Sequence, residues 1–82
     1  MSRRTVRDAE VGEVLRSRTD PRNIRSNVAR VEEVTPSGVV RVEYGTGRQF
    51  WYTRNELYTK FRFDYLQAWG SSRDWDKGND DD

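Results

Sequence analysis

Cysteine and histidine are both missing from this chain of 82 residues. Without cysteine, the chain can form neither a disulfide framework nor a thiolate metal site. Without histidine as well, it lacks the commonest catalytic bases, nucleophiles and transition-metal ligands. The composition therefore predicts a protein that is not an enzyme and that uses no metal or other cofactor.

Long apolar runs are missing too. No segment resembles a signal peptide or a membrane span, so we expect a cytoplasmic protein without membrane contact, in the host cytoplasm if a phage encodes it. Hydrophobic residues make up 33% of the chain and charged residues 35%. A domain of this size buries only about 60–65% of its unfolded surface. We therefore expect one domain with a small core, filled largely by the ten aromatic side chains.

The net charge is only +1, but the charges are unevenly distributed. Residues 1–30 hold eight arginines against four acidic residues, whereas residues 63–82 hold two basic residues against six acidic ones. We predict a flexible basic arm over residues 1–10 and a disordered acidic tail over residues 70–82. The domain between them spans residues 11–69, with Trp69 packed against it.

The clearest structural signal lies in the middle of the chain, where three β-strands follow one another between Val28 and Thr53. Pro36-Ser37-Gly38 and Gly45-Thr46-Gly47 provide the turns between these strands. The valines of the first of the three strands are spaced by three residues instead of two. In a strand this spacing predicts a β-bulge, which we place between Arg30 and Glu33.

The next two strands alternate regularly, so their two faces can be assigned. The inward face of the earlier strand is expected to carry Val40, Val42 and Tyr44. In the later strand Phe50 and Tyr52 are expected in the core, while Trp51 faces outward between polar neighbours. An exposed tryptophan marks a contact surface more often than chance.

The flanking segments complete the predicted fold. Val11 to Arg16 is the candidate first strand, followed by a polar loop. Thr53 and Glu56 have the spacing of a capping box, which predicts a single 3₁₀ turn over Arg54–Leu57 before a closing strand from Thr59 to Leu66. Together these elements predict an all-β protein: a five-stranded antiparallel SH3-like barrel of the Tudor or KOW kind.

Several short motifs are spread over this predicted barrel: Val11-Gly12-Glu13-Val14, Asp20-Pro21-Arg22, Val28 to Val34, Gly47-Arg48 and Arg54 to Leu57. In these the chain resembles small SH3-like barrel proteins of actinobacteria and their phages, a family without a settled activity. It is more loosely similar to KOW modules. The resemblance covers about residues 11–66 and implies the barrel fold and an actinobacterial or phage origin.

The leading functional hypothesis is a non-enzymatic binding module that engages a protein complex of the host. Its contact patch is expected on the outward face of the central strands, at Trp51, Arg41 and Arg48. A protein partner ranks slightly ahead of a nucleic acid, because the surface is nearly neutral and dipolar.

Three alternatives remain open at this point. The first is sequence-tolerant nucleic-acid binding through an arginine surface, with Trp51 as a stacking plane; that surface would consist of Arg16, Arg18, Arg22, Arg25 and Arg30, with Arg3, Arg4 and Arg7 in the arm. The second is an aromatic cage for a methylated side chain, built from Tyr44, Trp51, Tyr52 and Tyr58 with Glu43 or Glu56. The third is a structural role with self-association through strand edges, so that the protein is a monomer or a weak homodimer.

Overall fold

A computed structural model of the chain describes residues 4–20, 22 and 24–64. They form five strands, one α-helix and two 3₁₀ turns, the turns at Val6–Asp8 and Arg25–Asn27. The remaining elements are β1 (Val14–Ser17), β2 (Val28–Val34), β3 (Val39–Tyr44), β4 (Gln49–Thr53), α1 (Arg54–Lys60) and β5 (Phe61–Phe63). The prediction of a mainly antiparallel β protein with five strands is confirmed.

The five strands form one sheet in the order β4-β3-β2-β1-β5. Neighbouring strands are antiparallel throughout, and β1 lies between β2 and β5. Strands β4 and β5 stand at opposite ends of this order, so the sheet formed by the described residues is not closed. Each end strand therefore has one neighbouring strand in the described part of the chain.

The predicted bulge in β2 is confirmed. Val31 is opposite Val42, but Glu33 rather than Glu32 is opposite Arg41, so the register shifts between Val31 and Glu33. The extra residue brings Val34 to the same face as Val31, although they are three positions apart. Both valines consequently pack in or against the core, which explains the spacing seen in the sequence.

The turn between β3 and β4 is a tight glycine turn, as predicted. The N–H of Tyr44 donates to the carbonyl of Arg48 at 2.8 Å, and the N–H of Gly47 donates to the carbonyl of Tyr44 at 2.8 Å. Gly47 has a φ of +95°, a conformation that residues with a Cβ rarely adopt. Gly45 is needed for a different reason, since a Cβ there would lie 3.0 Å from the carbonyl oxygen of Arg25.

The first strand is shorter than predicted. It begins at Val14 instead of Val11, and Val11 is exposed. A turn over residues 10–13 precedes it, in which Gly12 adopts a φ of +96°. A chain bent in this way cannot continue the regular strand geometry, so Val11 does not belong to the inward-facing series.

The helical segment is longer than predicted. The capping box is confirmed, because Thr53 Oγ1 accepts from the N–H of Glu56 at 3.1 Å and Glu56 Oε1 accepts from the N–H of Thr53 at 2.9 Å. Instead of a single 3₁₀ turn, the seven-residue α-helix α1 follows, with Leu57 fully buried. Strand β5 therefore begins at Phe61 and not at Thr59.

The N-terminal segment also differs from the prediction of a flexible arm. Val6 is 3% exposed and Ala9 is fully buried, and both belong to the main hydrophobic cluster. Thr5 and Asp8 form a second capping box around the first 3₁₀ turn. Residues 4–10 are thus part of the packed domain, because two small apolar side chains suffice to anchor so short a segment. The predictions for Trp69 and the acidic tail lie outside the described residues.

The core lies between the inner face of the sheet, the first 3₁₀ turn and α1. Besides Val6 and Ala9 it contains Leu15, Ala29, Val31, Val40, Val42, Leu57 and Phe61. Every buried polar side-chain atom in the described part of the chain has a hydrogen-bond partner. Within those same residues, no helix combines the length and apolar character that crossing a membrane requires.

Candidate functional site

Strand β4 exposes large aromatic side chains on both of its faces. Phe50 is 42% exposed and Trp51 is 50% exposed, and consecutive residues of a strand point to opposite faces. Among the described residues β4 pairs only with β3. An end strand with apolar rings on both faces is the most conspicuous surface of this small domain.

On the outer face, Trp51 is directly opposite Arg41 in the sheet. The guanidinium carbon of Arg41 lies 5.9 Å from the centre of the Trp51 ring, within the range of a cation–π contact. Arg41 also donates to Gln49 Oε1 at 3.2 Å and makes a longer contact with Glu33 Oε1 at 3.4 Å. Arg41 is thus held beside the ring, while half of Trp51 remains accessible.

The predicted contact patch is brought together only in part. Arg41 and Trp51 are neighbours, but the Arg48 guanidinium carbon lies 6.0 Å from the Phe50 ring centre. Arg48 and Phe50 are two residues apart and therefore share a side of the strand, opposite to that of Trp51. The prediction that Arg48 lies with Trp51 on the outward face of the central strands therefore disregards this alternation.

On the inner face, four rings form a continuous cluster. Tyr44 packs edge-on against Phe50 at 5.6 Å between ring centres, and Phe50 stacks on Tyr52 at 6.2 Å. Phe61 lies 5.9 Å from both tyrosine rings. The prediction that Tyr44 and Tyr52 pack toward the core is confirmed. The same prediction for Phe50 is wrong, since Phe50 is 42% exposed at the rim of the cluster, and no strand of the described residues lies beyond β4.

The two tyrosines of this cluster are coupled through their hydroxyl groups, whose oxygens are 3.0 Å apart. Burial raises the pKa of Tyr44 well above its ordinary value, and the hydrogen bond to Tyr52 raises it further. The phenol of Tyr44 therefore stays protonated and neutral over the physiological pH range.

The backbone of β4 has an open side. Because Tyr44 and Arg48 form a hydrogen-bonded pair next to the turn, antiparallel alternation makes Val42 and Phe50 the next such pair. The intervening residues Gln49 and Trp51 then direct their N–H and C=O groups away from β3. These groups lie along the edge of the sheet, in the same strand as the exposed rings.

The predicted arginine surface does not form one surface. Arg16 is only 5% exposed and forms an ion pair with buried Asp64 at 3.3 Å, so it cannot bind phosphates. Arg22 and Arg30 form ion pairs with Asp20 and Glu32, each at 2.6 Å. The remaining members are Arg25, which is half-buried, and Arg18, which lies next to α1.

The pairing of Arg22 with Asp20 also lowers the pKa of the carboxyl group. The hydrogen bonds from the Arg22 side chain and backbone hold the pKa of Asp20 well below its usual range. The two residues thus form a local ion pair within the first loop. An arginine engaged in this way is a poor candidate for a phosphate ligand.

Two arginines of the predicted surface, Arg7 and Arg18, instead surround Tyr58 on α1, an arrangement that was not predicted from the sequence. The guanidinium carbons of Arg7 and Arg18 lie 4.0 and 4.9 Å from the centre of its ring. These residues come from three separate parts of the chain, and no spacing in the sequence links them. The predicted aromatic cage is not assembled either: Tyr44 and Tyr52 are together, but Trp51 is on the other face of β4.

The described residues contain no cluster of three or more acidic, histidine or cysteine side chains that could hold a metal ion. Comparisons of the chain with protein-family models, with curated proteins and with solved structures found no match. Among the surfaces of the described residues, the β4 edge with Trp51 and Arg41 is the leading candidate for the functional site.

Proposed function

We propose that this protein is a non-enzymatic binding module that engages a partner protein along β4, with Trp51 as the anchor and Arg41 beside it. The observation that carries this proposal is the exposure of large aromatic side chains on both faces of an end strand. Tryptophan and arginine are the residues that most often dominate the energetics of protein interfaces. A ring that is held by an arginine and half accessible is suited to fill a pocket on a partner.

We further propose that the partner contributes an extended segment that pairs with β4. The outward N–H and C=O groups of Gln49 and Trp51 offer hydrogen bonds to an added strand, while the alternating side chains provide specificity. The partner would bury the rings of Phe50 and Trp51 at the same time, one on each face. A single partner bound in this way would cover the exposed rings on both faces of β4.

The finer fold assignment, an SH3-like barrel, belongs to the same proposal. It is supported by the strand order with β1 between β2 and β5, by the bulge in β2 and by the helical segment that leads directly into β5. The resemblance to small barrels of actinobacteria and their phages supports a role as an accessory protein acting on a host protein complex in the cytoplasm.

The experiment that tests the proposal is a quantitative pull-down from an actinobacterial lysate with the full chain and two pairs of variants. Trp51→Ala should lower the recovery of the specific partner, because loss of an anchor costs about 2 kcal/mol or more, roughly 30-fold in affinity. Tyr58→Ala removes another exposed ring, on α1, and should not change the recovery. Gln49→Pro removes an N–H at the open edge and should weaken binding, whereas Gln49→Ala keeps that N–H and is its control.

Two results would contradict the proposal. One is the recovery of no specific protein by the unmodified chain. The other is equal recovery by Trp51→Ala and the unmodified chain. Light scattering of the purified protein addresses self-association: a stable dimer that Gln49→Pro dissociates would identify the occupant of the β4 edge as a second copy, and would replace the partner protein in this proposal.

A further inference from the structure

Tyr58 and two arginines form a compact arrangement on the surface of α1. The Tyr58 ring is 36% exposed, and the guanidinium groups of Arg7 and Arg18 both lie within 5 Å of its centre. Cation–π contacts of this length are energetically significant. They hold the two positive charges close to the same ring instead of letting them diverge into solvent.

Each arginine is also fixed by one hydrogen bond through its Nε atom. Arg7 Nε donates to Asn55 Oδ1 at 2.8 Å, and Arg18 Nε donates to the carbonyl of Tyr58 at 2.7 Å. Neither arginine forms an ion pair within the described part of the chain. Their terminal Nη groups, which make bidentate contacts with phosphate, are therefore oriented by the protein and still available.

Most carboxylates of the domain are engaged elsewhere. Ion pairs join Glu13 to Arg4, Asp20 to Arg22, Glu32 to Arg30, Glu33 to Arg41 and Asp64 to Arg16. Glu56 and Asp8 accept hydrogen bonds from the backbone in the two capping boxes. These carboxylates keep their negative charge, but none of them forms an ion pair with Arg7 or Arg18.

The same combination of cation and ring continues toward the rim of the sheet. Lys60, at the end of α1, lies 5.6 Å from the Tyr52 ring centre, and its carbonyl accepts from the N–H of Arg18 at 2.9 Å. Tyr52 in turn stacks on exposed Phe50, which has Arg48 beside it. Besides Arg4 at Phe63 and Arg41 at Trp51, four basic side chains thus lie next to rings: Arg7, Arg18, Lys60 and Arg48. We call them and their rings the cation–ring surface.

We propose that the cation–ring surface binds single-stranded nucleic acid, a ligand that the protein-binding role of β4 does not require. Arg7, Arg18, Lys60 and Arg48 would contact phosphates, and exposed Phe50 would stack on a base. Basic side chains that alternate with rings are suited to a flexible strand, because unpaired bases present π-faces and the phosphates between them need cations. Bases inside a duplex are already stacked on one another, so a duplex leaves Phe50 without a partner.

The test is fluorescence anisotropy with a labelled oligothymidylate of about 16 nucleotides, the upper range of single-domain site sizes, between about 50 and 200 mM salt. Each phosphate contact on a single strand contributes a slope of about −0.7 in a plot of log K against log salt. The double variant Arg7→Gln, Arg18→Gln should bind more weakly and reduce the slope by about 1.4. Its control is Arg22→Gln, Arg30→Gln, which removes the same charge from arginines in ion pairs and should change the slope little.

The contribution of the ring is tested separately. Phe50→Leu should weaken binding roughly tenfold without changing the slope, because stacking on a base involves no counterion release. Trp51→Ala should leave oligonucleotide binding unchanged, which distinguishes this site from the proposed protein-binding edge, although Phe50 belongs to both. Circular dichroism and urea denaturation establish that each variant is folded before its affinity is compared.

Three outcomes would overturn the proposal. One is the absence of binding at low salt by the folded, unmodified protein. Another is an equal loss of slope in the two double variants, since the effect would then reflect net charge alone. The third is competition by polyglutamate that is as effective as competition by unlabelled oligothymidylate, which would assign the surface to acidic peptides.

Discussion

Trp51 and Tyr52 are neighbours in β4 but have opposite surroundings. Trp51 is half exposed, whereas Tyr52 packs against Phe61 and is hydrogen bonded to Tyr44. We expect Trp51→Ala to change the free energy of unfolding by much less than the ~3–5 kcal/mol typical of a buried aromatic residue, and Tyr52→Ala to approach that range. Urea denaturation followed by circular dichroism measures both. The reverse ranking would mean that the strand is displaced by one residue, because such a displacement exchanges the two faces.

Tyr44 should make the folded protein less stable at alkaline pH. Because its pKa is raised in the folded state, its contribution is complete below the unfolded value of about 10 and is lost as the pH rises above that value. The urea midpoint should therefore fall between about pH 8 and pH 11. Tyr44→Phe should show a smaller fall, since it has no proton to lose at this position. Tyr58→Phe keeps Tyr44 and should fall as the unmodified protein does.

Two residues, Phe50 and Arg16, show which features of the structure could not be predicted from the sequence. Alternation correctly placed Phe50 on the inner side of β4, but it could not show that the sheet leaves this rim uncovered. Arg16 is predicted to belong to the arginine surface, yet it is buried, which is rare for arginine. Its buried partner Asp64 is 48 residues away, a distance over which the sequence gives no sign of pairing. Local rules assign a face, whereas burial depends on which distant elements cover it.

Thr53 couples strand β4 to helix α1 through its capping box. Thr53→Ala removes the hydroxyl that accepts from the N–H of Glu56, so we expect a loss of about 1 kcal/mol in the free energy of unfolding. Thr59→Ala is the matched control, because Thr59 is exposed within the same helix and bonds only the carbonyl of Asn55. Urea denaturation should rank Thr53→Ala as clearly less stable. Equal stability of the two variants would show that the cap contributes nothing.

The secondary structure was largely predictable because its signals are local. The glycine turn at Gly45–Gly47, the bulge in β2 and the capping box at Thr53 each depend on a few adjacent residues. The extension of α1 to Lys60 depends instead on the burial of Leu57 in the hydrophobic core. The anchoring of residues 4–10 depends on the burial of Val6 and Ala9 in the same core. Such tertiary support outweighs the weak helix propensity of short segments. The Tyr58 cluster was missed for the same reason.

The charges of the whole chain are unevenly distributed, and this asymmetry affects the binding of any anionic ligand. Residues 1–69 carry thirteen basic and nine acidic residues, a net charge of +4, whereas residues 70–82 carry two basic and five acidic residues, a net charge of −3. Removing residues 70–82 should therefore tighten oligonucleotide binding, most strongly at low salt where charges are least screened. A gel shift at two salt concentrations measures the effect. Unchanged affinity at low salt would show that the acidic segment does not screen the cation–ring surface.

The packing of the first 3₁₀ turn against α1 has a consequence for synthesis on the ribosome. Arg7 and its hydrogen-bond partner Asn55 are 48 residues apart, and the same separation divides Arg16 from Asp64. The β2–β3–β4 meander can form from adjacent residues as soon as it leaves the exit tunnel. The first 3₁₀ turn must wait, however, because its partner α1 is distant in sequence and contacts across long separations close slowly and late. Until α1 emerges, Val6 and Ala9 have no complete core to enter, so the nascent chain presents apolar surface that a chaperone can bind.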